Sequence, residues 1–319
     1  MTYVALIAGL VLLAVGGEYL VRGAVTVARR LGVSPLVIGL TLVGFGTSMP
    51  ELVASLKAAL AGSPGIAIGN VVGSNIANIL LILGVAAIIT PIATTAKAFR
   101  RDGMTLIAAT LVLLAACLAG TLNRLTGVLF VGLLLAYTIY SYRTERSKPL
   151  ETGELHIKEA QSVAPLSSSL GRALGVTAFG LAGVIFGSML LVDAAIELAR
   201  RLAVSETLIG LTIVAVGTSL PELAASTVAA FRNQADVALG NVVGSNIFNA
   251  LGITGVTAWV RPLTVPEEIM RQDAWVMLAA AVLLIAFAVS RWRIERWEGS
   301  VLLAGYGLYL YILLQHAPA

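Results

Sequence analysis

Glu51 and Glu222 are the residues whose chemistry most needs explaining. Each ends a Gly-Thr-Ser-x-Pro-Glu motif, GTSMPE from Gly46 and GTSLPE from Gly217, about midway along an otherwise apolar run. Neither run has a Lys or Arg in its core. The nearest base in the first, Lys57, stands nearly two turns beyond Glu51, at the edge of the apolar zone. An ionisable group at such depth is expensive and marks an ion or proton pathway. A carboxylate there binds a cation, binds a proton or pairs with a base, and pairing is the weakest of the three.

The neighbouring residues extend the set of oxygens. Pro50 and Pro221 lack an amide hydrogen and clash with the preceding turn, so each helix must kink or unwind there. This leaves carbonyls around Gly44 and Thr47, and around Ala215 and Thr218, without helical partners, an arrangement tolerated only against a protein cavity or an ion. A second block, GNVVGSNIANIL from Gly69 and GNVVGSNIFNAL from Gly240, adds Ser74 with Asn78 and Ser245 with Asn249. Each of these pairs is four apart and shares a helix face. Asn70, Asn75, Asn241 and Asn246 are further candidates, some as braces. The donors are carboxylate, hydroxyl, amide and carbonyl oxygens. Such hard ligands suit calcium and sodium, whereas zinc or copper would call for His or Cys. Two carboxylates match one divalent charge. The hydroxyl groups Thr47/Ser48/Ser74 and Thr218/Ser219/Ser245 suit monovalent ions, which must leave before calcium can claim the same carboxylates.

The two copies of each motif belong to one repeat. ARRLGVSPLVIGLTLVGFGTSMPELVAS from Ala28 returns as ARRLAVSETLIGLTIVAVGTSLPELAAS from Ala199, and the second block keeps the same offset of 171 residues. Apolar bias alone does not produce this.

The elements that must carry these motifs are membrane helices. The chain of 319 residues is 58% hydrophobic and 12% charged, with a mean hydropathy of +0.93; soluble domains carry about a quarter charged residues. Apolar stretches fall near 3–28, 33–57, 69–90, 103–120, 125–142, 173–199, 205–230, 237–259, 274–290 and 298–315. Each is long enough to cross a bilayer. The expectation is an all-α membrane protein of ten transmembrane helices. The first five-helix unit occupies 1–142, a polar linker 143–172 and the second unit 173–319. Five crossings per unit is an odd number, so the second unit is inverted, a hallmark of secondary transporters with a midplane site between the repeats. The second, third, seventh and eighth helices are expected to be broken.

Basic residues in the loops divide fourteen to six between the two sides. This puts both termini outside and the linker in the cytoplasm, with Arg200 and Arg201 dissenting. The first stretch lacks the basic flank and cleavage pattern of a signal peptide and reads as a retained helix. The lone Cys117 allows no internal disulfide. The net charge of +4 needs no nucleic acid to explain it, because basic loops serve topology. Glu18 and Arg22 form an intrahelical pair by spacing, and Asp193 with Glu197 could stand at an ion entrance. No His or second acid is placed to activate Ser48 or Ser219, so the chain does not read as an intramembrane protease or other enzyme.

At both motif pairs, GTSMPE with GNVVGSNIAN and GTSLPE with GNVVGSNIFN, the chain resembles the calcium/cation antiporter superfamily, closest to its prokaryotic-type sodium/calcium exchanger branch. The resemblance implies a calcium site from Glu51, Glu222 and the backbone oxygens of Thr47 and Thr218. It also implies sodium sites from Ser48, Ser74, Ser219, Ser245, the carbonyls of Gly44 and Ala215, and the two glutamates, with Asn78 and Asn249 in support. Sliding of the first and sixth helices would give alternating access in a prokaryotic cell membrane. The lipid bilayer and the transported ions would be the only partners, with no cofactor and no obligatory protein. Exchangers of this branch often carry an aspartate where Asn78 or Asn249 stands, so this site is less negative. The stretch 143–172 is too short for the regulatory domains of animal exchangers. Sodium/calcium exchange, proton/calcium exchange and a passive cation channel remain the three readings, and two inverted halves favour the exchangers over the channel.

Overall fold

Apolar runs of this length must satisfy their backbone groups internally, which in a membrane favours helices. The computed structural model describes residues 2–32, 45–94, 96–147, 169–231 and 235–315. In chain order the helices are α1 Thr2–Arg30, α2 Met49–Leu60, α3 Pro64–Ile89, α4 Ala96–Leu118, α5 Arg124–Ser147, α6 Leu170–Leu202, α7 Glu206–Thr218, α8 Leu220–Phe231, α9 Ala235–Val260, α10 Ile269–Ser290 and α11 Arg296–Gln315. Among the described residues, eight are long and apolar enough to cross a membrane. The α7–α8 pair, bent by 46°, makes a ninth if it is counted as one span. These nine match nine of the ten apolar stretches. The tenth, 33–57, lies partly outside the described residues, and its described part is a turn at 45–48 followed by α2. The linker expected over 143–172 lies largely outside them too, and α5 carries on past Arg143 to Ser147.

Local sequence sets the helix ends. Pro64 opens α3, where a missing N–H costs nothing. The Ser169 and Ser205 hydroxyls accept the backbone N–H groups of Arg172 and Leu208, capping α6 and α7. After α1 the chain turns through Gly32 with φ +74°, and after α6 through its counterpart Ala203 with φ 53°. The repeat keeps this left-handed stop even where a side chain resists it.

Two short ladders modify the all-helical expectation. β1 (Ile92–Ala93) pairs antiparallel with β4 (Arg293–Ile294), and β2 (Thr121–Leu122) with β3 (Leu263–Thr264). They occupy loops between helices, where exposed backbone groups find partners in one another.

A second expectation changes form. The GNVVGSN blocks do not break their helices: α3 and α9 each run 26 residues without interruption. Both widen into a π-helical section, Asn78–Leu83 in α3 and Phe248–Ile253 in α9. Neither block contains a proline, so the hydrogen-bond ladder persists and only its register loosens. These two helices form the centre of the bundle, with residues 65–77 of α3 all buried.

Candidate cation site

The two carboxylates sit at the bends. Pro50 and Pro221 fall in the first turns of α2 and α8, where proline is tolerated because those N–H groups have no helical acceptor. Glu51 and Glu222 follow directly, still in the first turn, where the positive end of the helix dipole favours a negative group.

The bends turn each half of the site towards the other. The Ser48 hydroxyl donates to Glu222 Oε1 at 3.1 Å, and the Ser219 hydroxyl donates to Glu51 Oε1 at 2.9 Å. Each carboxylate is therefore held by the serine that precedes its counterpart in the other repeat. Glu51 and Glu222 are both fully buried, and Glu222 lies within electrostatic reach of Glu51. Thr218 stands beside Glu51 and Thr47 beside Glu222. The second oxygen of each carboxylate, Oε2, has no hydrogen-bond partner among the described residues. No base answers them there either. Lys57 pairs instead with Asp193 at 3.5 Å, and Glu197 pairs with Arg201. Both acids considered for an ion entrance thus have cationic partners. The spacing expectation for Glu18 and Arg22 holds, with an i,i+4 contact of 2.5 Å.

Amides and hydroxyls from α3 and α9 complete the surroundings. The Asn70 amide donates to the Glu51 backbone carbonyl at 3.1 Å and to Ser55 Oγ at 2.8 Å, while its oxygen accepts from Thr218 Oγ1 at 3.0 Å. Asn75 and Asn246 donate to each other's backbone carbonyls at 3.3 and 3.0 Å. Asn78 donates to Asn246 Oδ1 at 2.9 Å. Asn70, Asn75 and Asn246 thus tie neighbouring helices together. Ser55 was not foreseen as part of the site, although a serine four residues after the glutamate recurs as Ser226.

One sequence expectation changes at the second bend. The Ala215 carbonyl is not left without partners. It accepts the Ser219 N–H at 3.1 Å and the Ser74 hydroxyl at 3.4 Å, and it lies 3.3 Å from the Thr218 hydroxyl, whose single proton it shares with Asn70 Oδ1 and the Val214 carbonyl, each at 3.0 Å. The helical ladder runs on through Ser219 before Pro221 interrupts it. Its counterpart Gly44 lies outside the described residues. Ser245 and Asn249 are fully buried, with no side-chain partner among the described residues.

A buried cluster of carboxylate, hydroxyl and carbonyl oxygens drawn from two halves offers hard ligands to a cation. Among the described residues no three His, Cys, Asp or Glu side chains group as a metal centre. Any ion held here would therefore rely on neutral oxygens beyond its two carboxylates.

The family model described as sodium/calcium exchanger protein matches residues 1–143 and 172–315. The chain is 36% identical to the sodium/calcium exchanger MaX1 of Methanosarcina acetivorans, over 98% of each chain. It is 32% identical to the inner membrane protein YrbG of Escherichia coli, over 98% of this chain and 97% of the other. Among solved structures, the sodium-calcium exchanger NCX_Mj soaked with sodium and calcium superposes with a TM-score of 0.66 at 32% identity, over 97% of each chain.

Proposed function

The chain belongs to the sodium/calcium exchanger family, and we propose that it is a secondary active antiporter that exchanges sodium for calcium by alternating access. The observation that carries this reading is the reciprocal pair of hydrogen bonds from Ser48 to Glu222 and from Ser219 to Glu51. Two buried carboxylates joined across the repeats, each with one oxygen free of protein partners among the described residues, fit a divalent cation better than a salt bridge. Ionised carboxylates in a dry interior need a counter-charge.

In this reading calcium is bound by Glu51, Glu222 and the backbone oxygens of Thr47 and Thr218. Sodium ions take Ser48, Ser74, Ser219, Ser245 and the carbonyls of Gly44 and Ala215, sharing the two glutamates, with Asn78 and Asn249 in support. Shared carboxylates make the occupancies exclusive, and exclusion is the physical basis of exchange. The units are 1–142 and 173–319, two inverted sets of five helices joined by a linker over 143–172. The ladders support the inversion. β1 lies beside β4, and one spanning helix, α10, separates β4 from β3. β1 and its repeat counterpart β3 then belong to opposite faces. The excess of basic residues on one side supports a cytoplasmic linker and outer termini in a cell membrane.

Proton coupling is the competing form of the same machine, favoured by asparagine at both 78 and 249. Liposomes loaded with sodium separate the two. The expected result is saturable calcium-45 entry that requires the sodium gradient, does not follow a pH gradient alone, and falls by about 100-fold or more in Glu51→Gln or Glu222→Gln. Uptake driven by pH without sodium would transfer the reading to proton exchange. Non-saturating, sodium-independent flux would remove antiport altogether.

A further inference from the structure

The two halves of the site carry the same residues but not the same hydrogen bonds. In the first half the lock is complete: Asn70 holds Ser55 Oγ and the Glu51 carbonyl and receives Thr218 Oγ1. At the 171-residue offset these positions become Asn241, Ser226, Glu222 and Thr47, with every residue type preserved. In this second half Asn241 Nδ2, Ser226 Oγ and Thr47 Oγ1 are all buried atoms with no hydrogen-bond partner among the described residues. Asn70 is fully buried, whereas Asn241 is half-buried. A second pair behaves alike. Asn78 Nδ2 reaches Asn246 Oδ1 at 2.9 Å, while in the counterpart pair both Asn249 Nδ2 and Asn75 Oδ1 lack partners among the described residues.

Identical residues cannot owe the difference to their chemistry, so it reflects the conformation of the two halves. We propose that Asn70 and Asn241 are positioning residues that act as alternating locks. Each ties its central helix both to the carboxylate-bearing helix of its own repeat and to the bend of the other, and one lock is made while the other is open. The structure has the Asn70 lock made. Buried polar groups that lose their partners are costly, and such a cost in one half, offset by bonds in the other, suits a two-state element whose states lie close in free energy. Because the locks mirror each other, exchanging the halves exchanges the states. The proposal rests on the antiporter reading above.

The test compares the two membrane faces. Calcium-45 self-exchange against unlabelled calcium in sealed, oriented vesicles needs alternating access but no sodium coupling, and its apparent KM is read on each face. A shift between access states raises KM on one face and lowers it on the other, because apparent affinity scales with the competent fraction. A plain loss of site affinity raises both and leaves their ratio unchanged. Asn70→Ala is expected to move the ratio of face KM values by roughly 3- to 10-fold, and Asn241→Ala by a similar factor in the opposite direction. The double variant is expected to return near the wild-type ratio. Ser55→Ala and Ser226→Ala, at the far ends of the locks, are expected to repeat the two opposite signs with smaller shifts, and they serve if an asparagine variant does not fold. Shifts of the same sign, or lower transport with an unmoved ratio, would overturn the locks and leave antiport standing. No calcium self-exchange in the wild type would overturn both.

Discussion

The outer pair α1 and α6 and the central pair α3 and α9 are all long, apolar and glycine-bearing, yet they are held in opposite ways. In its most apolar window, α3 or α9 has 78% of its residues buried, against 33% for α1 or α6. The outer pair meets backbone to backbone. A side chain at Gly180 would begin 2.3 Å from the Leu20 nitrogen, one at Gly16 would begin 2.7 Å from that of Val184, and one at Gly187 would begin 2.8 Å from that of Leu13. The hydroxyls of Thr177 and Ser188 turn back onto carbonyls of their own helix, Ala173 and Ile185. The central pair does the reverse, with Asn75, Asn78 and Asn246 bonding across the repeats. Directional bonds fix the register of α3 against α9. Close packing of small residues holds α1 to α6 as one body. The contrast suits a moving outer unit around a fixed site.

The largest effect expected from breaking this contrast is at Gly180. Gly180→Leu must push α1 away from α6 and is expected to cost about 3 kcal/mol or more, read as a lowered unfolding midpoint in detergent. Gly175→Leu on the same helix, where an added Cβ meets nothing within 4 Å, is expected to change it little. Equal tolerance at both positions would mean that the outer pair is not held by close approach.

The central pair is tested next. Asn75→Ala removes one of the two reciprocal bonds, and Asn246→Ala removes the other together with the acceptor of Asn78, so each is expected to cost about 1–3 kcal/mol. Their costs should not add, because the first substitution already breaks the reciprocal arrangement. Full additivity in unfolding midpoints would show that the amides act separately and do not set register.

Much of this could be read from the residues. The 171-residue offset, the carboxylates behind Pro50 and Pro221, and the oxygen character of the site all follow from types and spacings in one chain. What could not be read is partnership. Spacing placed Ser48 near Glu51, but the structure bonds it to Glu222, since which half a hydroxyl faces depends on how the bends aim it. The helices that carry the GNVVGSN blocks were expected to break; glycine and asparagine disfavour helix locally, but burial between neighbouring helices overrides that preference and leaves a widened turn. Likewise nothing in the sequence joined Lys57 to Asp193, and only the packing of α2 beside α6 pairs them.

That pair yields the smallest expected effect and the sharpest limit on the contrast, because it joins the carboxylate-bearing α2 to the outer α6. Its side chains are 30% and 63% exposed at a separation of 3.5 Å, and exposed pairs of this kind contribute about 0–1 kcal/mol. The repeat does not duplicate it, since the counterparts of Lys57 and Asp193 are Val228 and Arg22. Lys57→Met keeps the apolar stem and removes the charge. The unfolding midpoint is expected to shift by less than about 1 kcal/mol at low salt, and the shift should shrink as salt screens the wild-type pair. A salt-independent loss of about 2 kcal/mol or more would show that α6 is pinned to the centre through Lys57, and an outer pair so pinned could not slide past the site as one free body.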